Sequence, residues 1–137
     1  MPVEIILDAS AAAKLFFVDD DTEAVQSALG AGASLLAPDL LFAEMASVAA
    51  KMVSRRQATA EQGLHALKSL PALLDDVAPT TGLVERAFAI ATSLGFSAYD
   101  ACYLALAERR GAKVLTADRR MVRHAQQQGI GHLVQGV

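Results

Sequence analysis

A three-layer α/β/α domain on a parallel sheet of about five strands is the fold this sequence predicts, and three observations lead to it. Short, almost wholly apolar runs such as VEIIL at 3–7 and SLLA at 34–37 read as strands covered on both faces. Between and after them come longer stretches with helical spacing of apolar residues, so strands and helices alternate. Residues 101–107 then carry no charge at all, which marks a helix packed deep in the domain.

Local signals delimit each element. The first strand, 3–7, ends at Asp8, and a helix is expected over 10–17 with Ser10 near its start. The acids at 19–21 break it, 22–29 resume as a turn-rich or helical piece, and Gly30 and Gly32 stop that piece. The second strand, 34–37, is closed by Pro38, and Asp39 opens a helix to about Arg56. Its apolar stripe is Leu41, Met45, Val48 and Met52, with Glu44 on the stripe's edge. Thr59 caps a helix through Leu70 that Pro71 is expected to limit, and 74–78 (LDDVA) is a weak third strand. An amphipathic helix over 81–94 ends at Gly95, a usual residue after a helix. Ser97 then caps the apolar helix, with Asp100 at its third position, and Gly111 stops it. KVLT at 113–116 is a fourth strand, 119–128 a last helix ended by Gly129, and 132–134 a short fifth strand. No linker, repeat or low-complexity tract interrupts the pattern, so 1–137 reads as one domain.

The composition narrows the class. The apolar fraction of 53% suits well-covered sheets or an additional face for a partner. No apolar run approaches the roughly 18 residues of a membrane span, and the opening MPVEIILD, with Glu4 and no basic leader, is unlike a signal peptide. Cys102 is the single cysteine, which excludes an intrachain disulfide and fits a reducing cytoplasm, with Cys102 as core filling. A net charge of −3 argues against a generally basic nucleic-acid binder. Yet basic residues gather late in the chain, and Arg119 and Arg120 directly follow Asp118.

Four carboxylates are placed where a parallel sheet binds ligands, outside the carboxyl ends of its strands. Asp8 ends the first strand and Asp118 follows the fourth. Glu44 enters from the helix after the second strand, and Asp100 from the start of the apolar helix. Each has a plainer reading: Asp8, Asp100 and Asp118 as helix caps, Glu44 as surface. Two carboxylates ~4 Å apart repel by ~4 kcal/mol at an effective dielectric near 20. A group of four therefore protonates in part or takes up a cation. With no Cys or His beside them, an all-oxygen set selects Mg²⁺ or Mn²⁺ over Zn²⁺. Ser10 and Thr116 place hydroxyls close to Asp8 and Asp118, either supporting the site or simply capping and packing.

ILDASAAAKLFF with Asp8 and Ser10, LLFAEMASVAAKM with Glu44, FSAYDACYLALAERRG with Asp100, and KVLTADRRM with Asp118 resemble the four acidic motifs of the PIN-domain ribonucleases, nearest to their VapC-like toxin branch. The resemblance covers nearly the whole chain. It implies a PIN-like parallel sheet and Mg²⁺- or Mn²⁺-dependent cleavage of RNA. The positions of Asp8, Glu44, Asp100 and Asp118 would hold the metal and the attacking water, and Ser10 would support them. No acid follows Asp118 in RRMVRH, so Asp118 is expected to meet the metal weakly or through water. The resemblance also implies a homodimer and a cognate antitoxin protein whose tail crosses the active-site groove.

RNA recognition is expected through shape and phosphate contacts, with Arg119 and Arg120 as phosphate ligands, because five Phe and two Tyr offer little stacking surface. Tyr99 is expected to be buried rather than stacked on a base. Leu15, Phe16, Phe17, Leu41, Phe42 and Met45 are more apolar surface than one side of a sheet needs, unless all are core. Two rival functions are a non-catalytic RNA- or partner-binding domain and a phosphatase or phosphoacceptor domain using Asp8. The second is disfavoured, since Ala9-Ser10 gives no neighbouring acid and Lys113 begins its strand instead of ending it.

Overall fold

The computed structural model describes residues 2–137. Five parallel strands are present: β1 (Glu4–Leu7), β2 (Ser34–Pro38), β3 (Asp76–Ala78), β4 (Lys113–Thr116) and β5 (Val134–Gly136). They lie in the order β3-β2-β1-β4-β5. Chain direction across the sheet therefore reverses between β1 and β4, the position where such sheets open a crevice. Register sets Ile5 opposite Lys113 and Leu7 opposite Leu115, so Asp8 and the residues after Thr116 emerge side by side at one edge.

Seven helices connect the strands among the described residues: α1 (Ala9–Phe16), α2 (Thr22–Leu29), α3 (Leu40–Ser54), α4 (Ala60–Leu73), α5 (Val84–Leu94), α6 (Ala98–Arg110) and α7 (Arg119–Gln127). Helix α1 packs against both α2 and α3, with α4 against α3, while α5 packs along α6. Right-handed crossovers put the first group on one face of the sheet and α5 to α7 on the other. The expected three-layer architecture is present.

Helix α6 is the centre of the core. Residues 101–107 are all buried, and the helix lies against β1, β2 and β4. Leu104 and Leu106, with almost no exposure, each contribute roughly 1.5–3 kcal/mol by burial. Gly111 closes the helix at φ +62°, a left-handed conformation that suits glycine. Cys102 is a free, buried core residue, as its setting implied. Glu4 and Asp76 hold Arg110 beneath the sheet, at the edge opposite Asp8.

Several boundaries differ from the sequence reading: α5 starts at Val84 instead of 81, after a 3₁₀ turn at Thr80–Gly82, and β3 starts at Asp76 instead of 74. Helix α4 runs past Pro71 to Leu73. Proline loses a backbone donor and crowds the preceding turn, but Leu70 is fully buried and Leu73 packs on the core, which holds the helix together past it. The fifth strand lies at Val134–Gly136 instead of 132–134, because it pairs Val134 with Val114 and Gly136 with Thr116. His132 falls in a single 3₁₀ turn, Gly131–Leu133, ahead of it. The first helix starts at Ala9 instead of about 10, with Asp8 at its cap.

The apolar surplus is also relocated. Leu41 and Met45 are completely buried, and Leu15, Phe16, Phe17 and Phe42 are partly buried against the core. The large apolar side chains that face solvent are Val84 and Phe88 on α5, Leu64 on α4, Val3 and Val18. No helix among the described residues is long and apolar enough to cross a membrane.

Candidate active site

Asp8 leaves β1 as the cap of α1. Its Oδ1 accepts from the Ala11 N–H at 2.9 Å and from the Ser10 hydroxyl at 2.7 Å. Ser10 Oγ and Thr116 Oγ1 lie within hydrogen-bonding distance of each other at 3.1 Å. The Ala117 N–H donates to Ser10 Oγ, and the Asp118 N–H to Thr116 Oγ1. A run of hydroxyls thus ties the end of β1 to the end of β4 across the switch point. Ser10 and Thr116 therefore lie hydrogen-bonded between Asp8 and Asp118, and Thr116 has no exposed surface.

Asp118 caps α7, its Oδ1 accepting from the N–H groups of Arg120 and Met121 at 3.0 and 3.3 Å. Asp100 sits in the first turn of α6, where its own N–H donates to the Ser97 hydroxyl at 3.1 Å. The capping readings are therefore correct for Asp8 and Asp118, and Ser97 caps the turn that carries Asp100. They do not compete with a site, because Asp8, Glu44, Asp100 and Asp118 line one cleft of ≈170 Å³ together with Ala9, Ser10 and Tyr103. Arg119 and Arg120 project into solvent beside it.

Sequence reasoning overlooked Tyr103. This fully buried tyrosine donates its phenol O–H to Glu44 Oε1 at 2.6 Å, joining α6 to α3 over the sheet edge. Burial and the Glu44 charge push the phenol far above its ordinary range, so it stays protonated and can only donate here. The available signal was its position three residues after Asp100, hence on the same helical face. Tyr99 corrects an expectation in the other direction: it is 63% exposed, not buried. It stands in the open first turn of α6, ahead of the first core-facing residue of the helix.

The electrostatics of the cleft are lopsided. Burial raises the Asp8 carboxyl to about 6, against the pull of the Thr116 and Ser10 hydroxyls and the Ala11 N–H. Burial also raises Glu44 and Asp100, helped by the Asp100 charge in the first case and the Asp118 charge in the second. No Lys, Arg or His lines the cleft. Three acids held in a setting that disfavours their charge, with no cationic side chain to offset it, fit a bound cation. The donor set is all oxygen, which fits a hard divalent ion. Among the described residues no three acids are drawn into a ready-made cage.

A parallel α/β/α domain with an acidic, cation-poor cleft at its topological switch point is the class that fold and site define. The chain belongs to the PIN domain family, whose model matches residues 5–127. Among similar proteins, Ribonuclease VapC9 of Mycobacterium tuberculosis is 38% identical over 117 residues, 85% of this chain and 87% of that protein. Ribonuclease VapC3 of Pyrobaculum aerophilum is 31% identical over 121 residues, 87% of this chain and 92% of that protein. Similar solved structures include VapBC2 from Rickettsia felis, bound to a DNA fragment from its promoter, with TM-score 0.67 and 11% identity over 98% of this chain and 99% of that one. Mycobacterium tuberculosis VapC20, a toxin that cleaves the sarcin-ricin loop, gives TM-score 0.65 and 17% identity over 84% of this chain and 90% of that one. At such identities the structural likeness concerns the fold.

Proposed function

We propose that this chain, as a single domain, is a divalent-metal-dependent endoribonuclease and the toxin of a toxin–antitoxin pair. The observation that carries the reading is the cleft itself: four carboxylates at the switch point, three with raised pKa, and no cation among the lining side chains. The curated relatives named as VapC ribonucleases support the activity, and the toxin–antitoxin complexes among similar structures support a protein antitoxin as partner.

Asp8, Glu44, Asp100 and Asp118 are the residues that would hold Mg²⁺ or Mn²⁺, Asp8 and Asp100 most strongly and Asp118 weakly or through water. When bound, the metal lowers the pKa of an attacking water and stabilises the charge that builds on the scissile phosphate. The chain's own residues do the rest. Ser10 and Thr116 fix the Asp8 carboxylate, the Tyr103 phenol fixes Glu44, and the α7 N-terminal turn fixes Asp118. Arg119 and Arg120 contact phosphates flanking the cut. Tyr99, exposed on the first turn of α6, offers a face for an unstacked base.

Size favours a polymer over a small phosphate ester. Pockets that enclose small ligands usually measure about 300–1,000 Å³, and this cleft has ≈170 Å³. It can meet a phosphate presented from outside but cannot surround a nucleotide. A groove of ≈580 Å³ between α1 and α3 adjoins it and shares Ser10, which gives an extended substrate room to continue. A phosphoacceptor role for Asp8 is disfavoured, because Ala9 and Ser10 supply no neighbouring acid and Lys113 lies at the far end of β4.

The test is cleavage of total cellular RNA by partner-free protein, comparing wild type with Asp100→Asn in Mg²⁺, Mn²⁺ and EDTA. Discrete cuts that require metal and disappear in the variant are expected. Cuts that persist in EDTA or in the variant would refute the assignment. A homodimer is proposed as well, and a monomer in sedimentation at high micromolar concentration would remove it.

A further inference from the structure

The carboxylates of the cleft are not held equally. Asp8 is fixed by Ser10 and the Ala11 N–H, Asp118 by two backbone N–H groups, and Glu44 by Tyr103. Among the described residues the Asp100 carboxylate has no such hydrogen-bond partner; only its backbone N–H is held, by the Ser97 hydroxyl of its own helix cap. Its place is therefore set by the backbone that launches α6, the short link Gly95-Phe96-Ser97 after α5. Gly95 turns that link with φ +76°.

A side chain from another element grips this link. His124 of α7 places Nε2 2.7 Å from the Leu94 carbonyl oxygen, at the last residue of α5. A carbonyl only accepts, so Nε2 carries the proton. The bond satisfies one of the carbonyls that a helix C-terminus leaves without a partner. The imidazole also packs edge-on against the Phe96 ring, with centroids 4.5 Å apart, and Phe96 is itself buried. Helix α7 begins at Asp118, so His124 connects the segment that carries Asp118 to the segment that aims Asp100. These two acids line the cleft together, and the charge on Asp118 is felt at Asp100.

We infer that His124 is a positioning residue that locks the α5–α6 link to α7 and so sets the separation of Asp100 and Asp118 for a divalent cation. The inference rests on the metal-site reading of the cleft. His124 touches neither cation nor RNA. It acts through the backbone, and its removal loosens Asp100 while leaving the other three acids in place.

Glutamine places its amide nitrogen where His Nε2 lies and still donates to Leu94, whereas asparagine is too short and phenylalanine has no donor. Manganese binding is titrated calorimetrically on RNA-free wild type, His124→Gln, His124→Asn and His124→Phe, with kcat and KM measured in parallel. His124→Asn and His124→Phe are expected to bind Mn²⁺ about tenfold more weakly, the usual scale for an outer-shell support, with kcat lowered and KM for RNA unchanged. His124→Gln is expected to restore both. Equal Mn²⁺ affinity in wild type and His124→Asn, or no recovery in His124→Gln, would overturn the inference alone. Absence of Mn²⁺ binding by wild type would instead overturn the metal-site reading, and the inference with it. Should His124→Phe fail to fold, the comparison of Gln with Asn decides.

Discussion

Replacing Asp8 by Asn is expected to stabilise the metal-free protein, although losing a buried, hydrogen-bonded side chain ordinarily destabilises. Lifting a carboxyl from its ordinary 3.8 to about 6 corresponds to roughly 3 kcal/mol, at about 1.4 kcal/mol per factor of ten. Linkage gives the sign. The folded-state pKa lies above the unfolded one, so the contribution is fully present below pH 3.8 and is lost as pH rises through about 6. Glu44 and Asp100 are shifted the same way and steepen the same decline. Asparagine keeps Oδ1, the atom that accepts from both Ser10 and Ala11, so the cap survives and only the buried charge is removed. Urea unfolding in EDTA at pH 7.5 should show Asp8→Asn more stable by up to about 3 kcal/mol, with the gap closing near pH 4. Mg²⁺ or Mn²⁺ should raise the stability of wild type more than that of the variant. A variant less stable than wild type at pH 7.5 in EDTA, or a gap of the same size at both pH values, would refute the burial reasoning.

Three further outcomes are expected. Tyr103→Phe removes the one side-chain hydrogen bond that fixes Glu44 among the described residues. It should lower kcat about tenfold or more with the fold intact by circular dichroism, and unchanged kcat would show that Glu44 needs no such support. Replacing Arg119 and Arg120 together by Ala should weaken RNA binding across sequences and reduce the slope of log affinity against log salt by about 2. An unchanged slope would remove them as phosphate contacts. Tyr99→Ala should weaken binding to single-stranded RNA by about 1–3 kcal/mol, while Tyr99→Phe keeps it. Equal loss in both variants would exclude stacking.

Much of this protein was legible in its sequence because the signals were local. VEIIL ending in Asp8 and KVLT followed two residues later by Asp118 placed two acids at strand ends, and the strand order brought them side by side. Gly95 and Gly111 ended helices where their left-handed φ is needed. Less legible features depend on partners far along the chain. Tyr103 reads as core until α3 supplies Glu44, and His124 reads as a surface residue until the end of α5 supplies Leu94. The helix passed Pro71 because Leu70 and Leu73 pack on the core, which local propensity does not register. Tyr99 was misjudged because the apolar stretch that succeeds it suggested burial, whereas the first turn of α6 stands clear of the sheet. The helix-cap and metal-ligand readings also looked like alternatives in the sequence. In the structure Asp8 and Asp118 cap their helices through Oδ1 and line the cleft at the same time.

The most direct measurement is a crystal structure of the protein soaked in Mn²⁺, with anomalous scattering recorded for wild type and Asp100→Asn. The expected result is a manganese peak bounded by Asp8, Glu44 and Asp100 in wild type, with the peak lost or much weakened in the variant. No peak in that cleft, or one of equal strength after Asp100 loses its charge, would contradict the assignment of these carboxylates as the metal site.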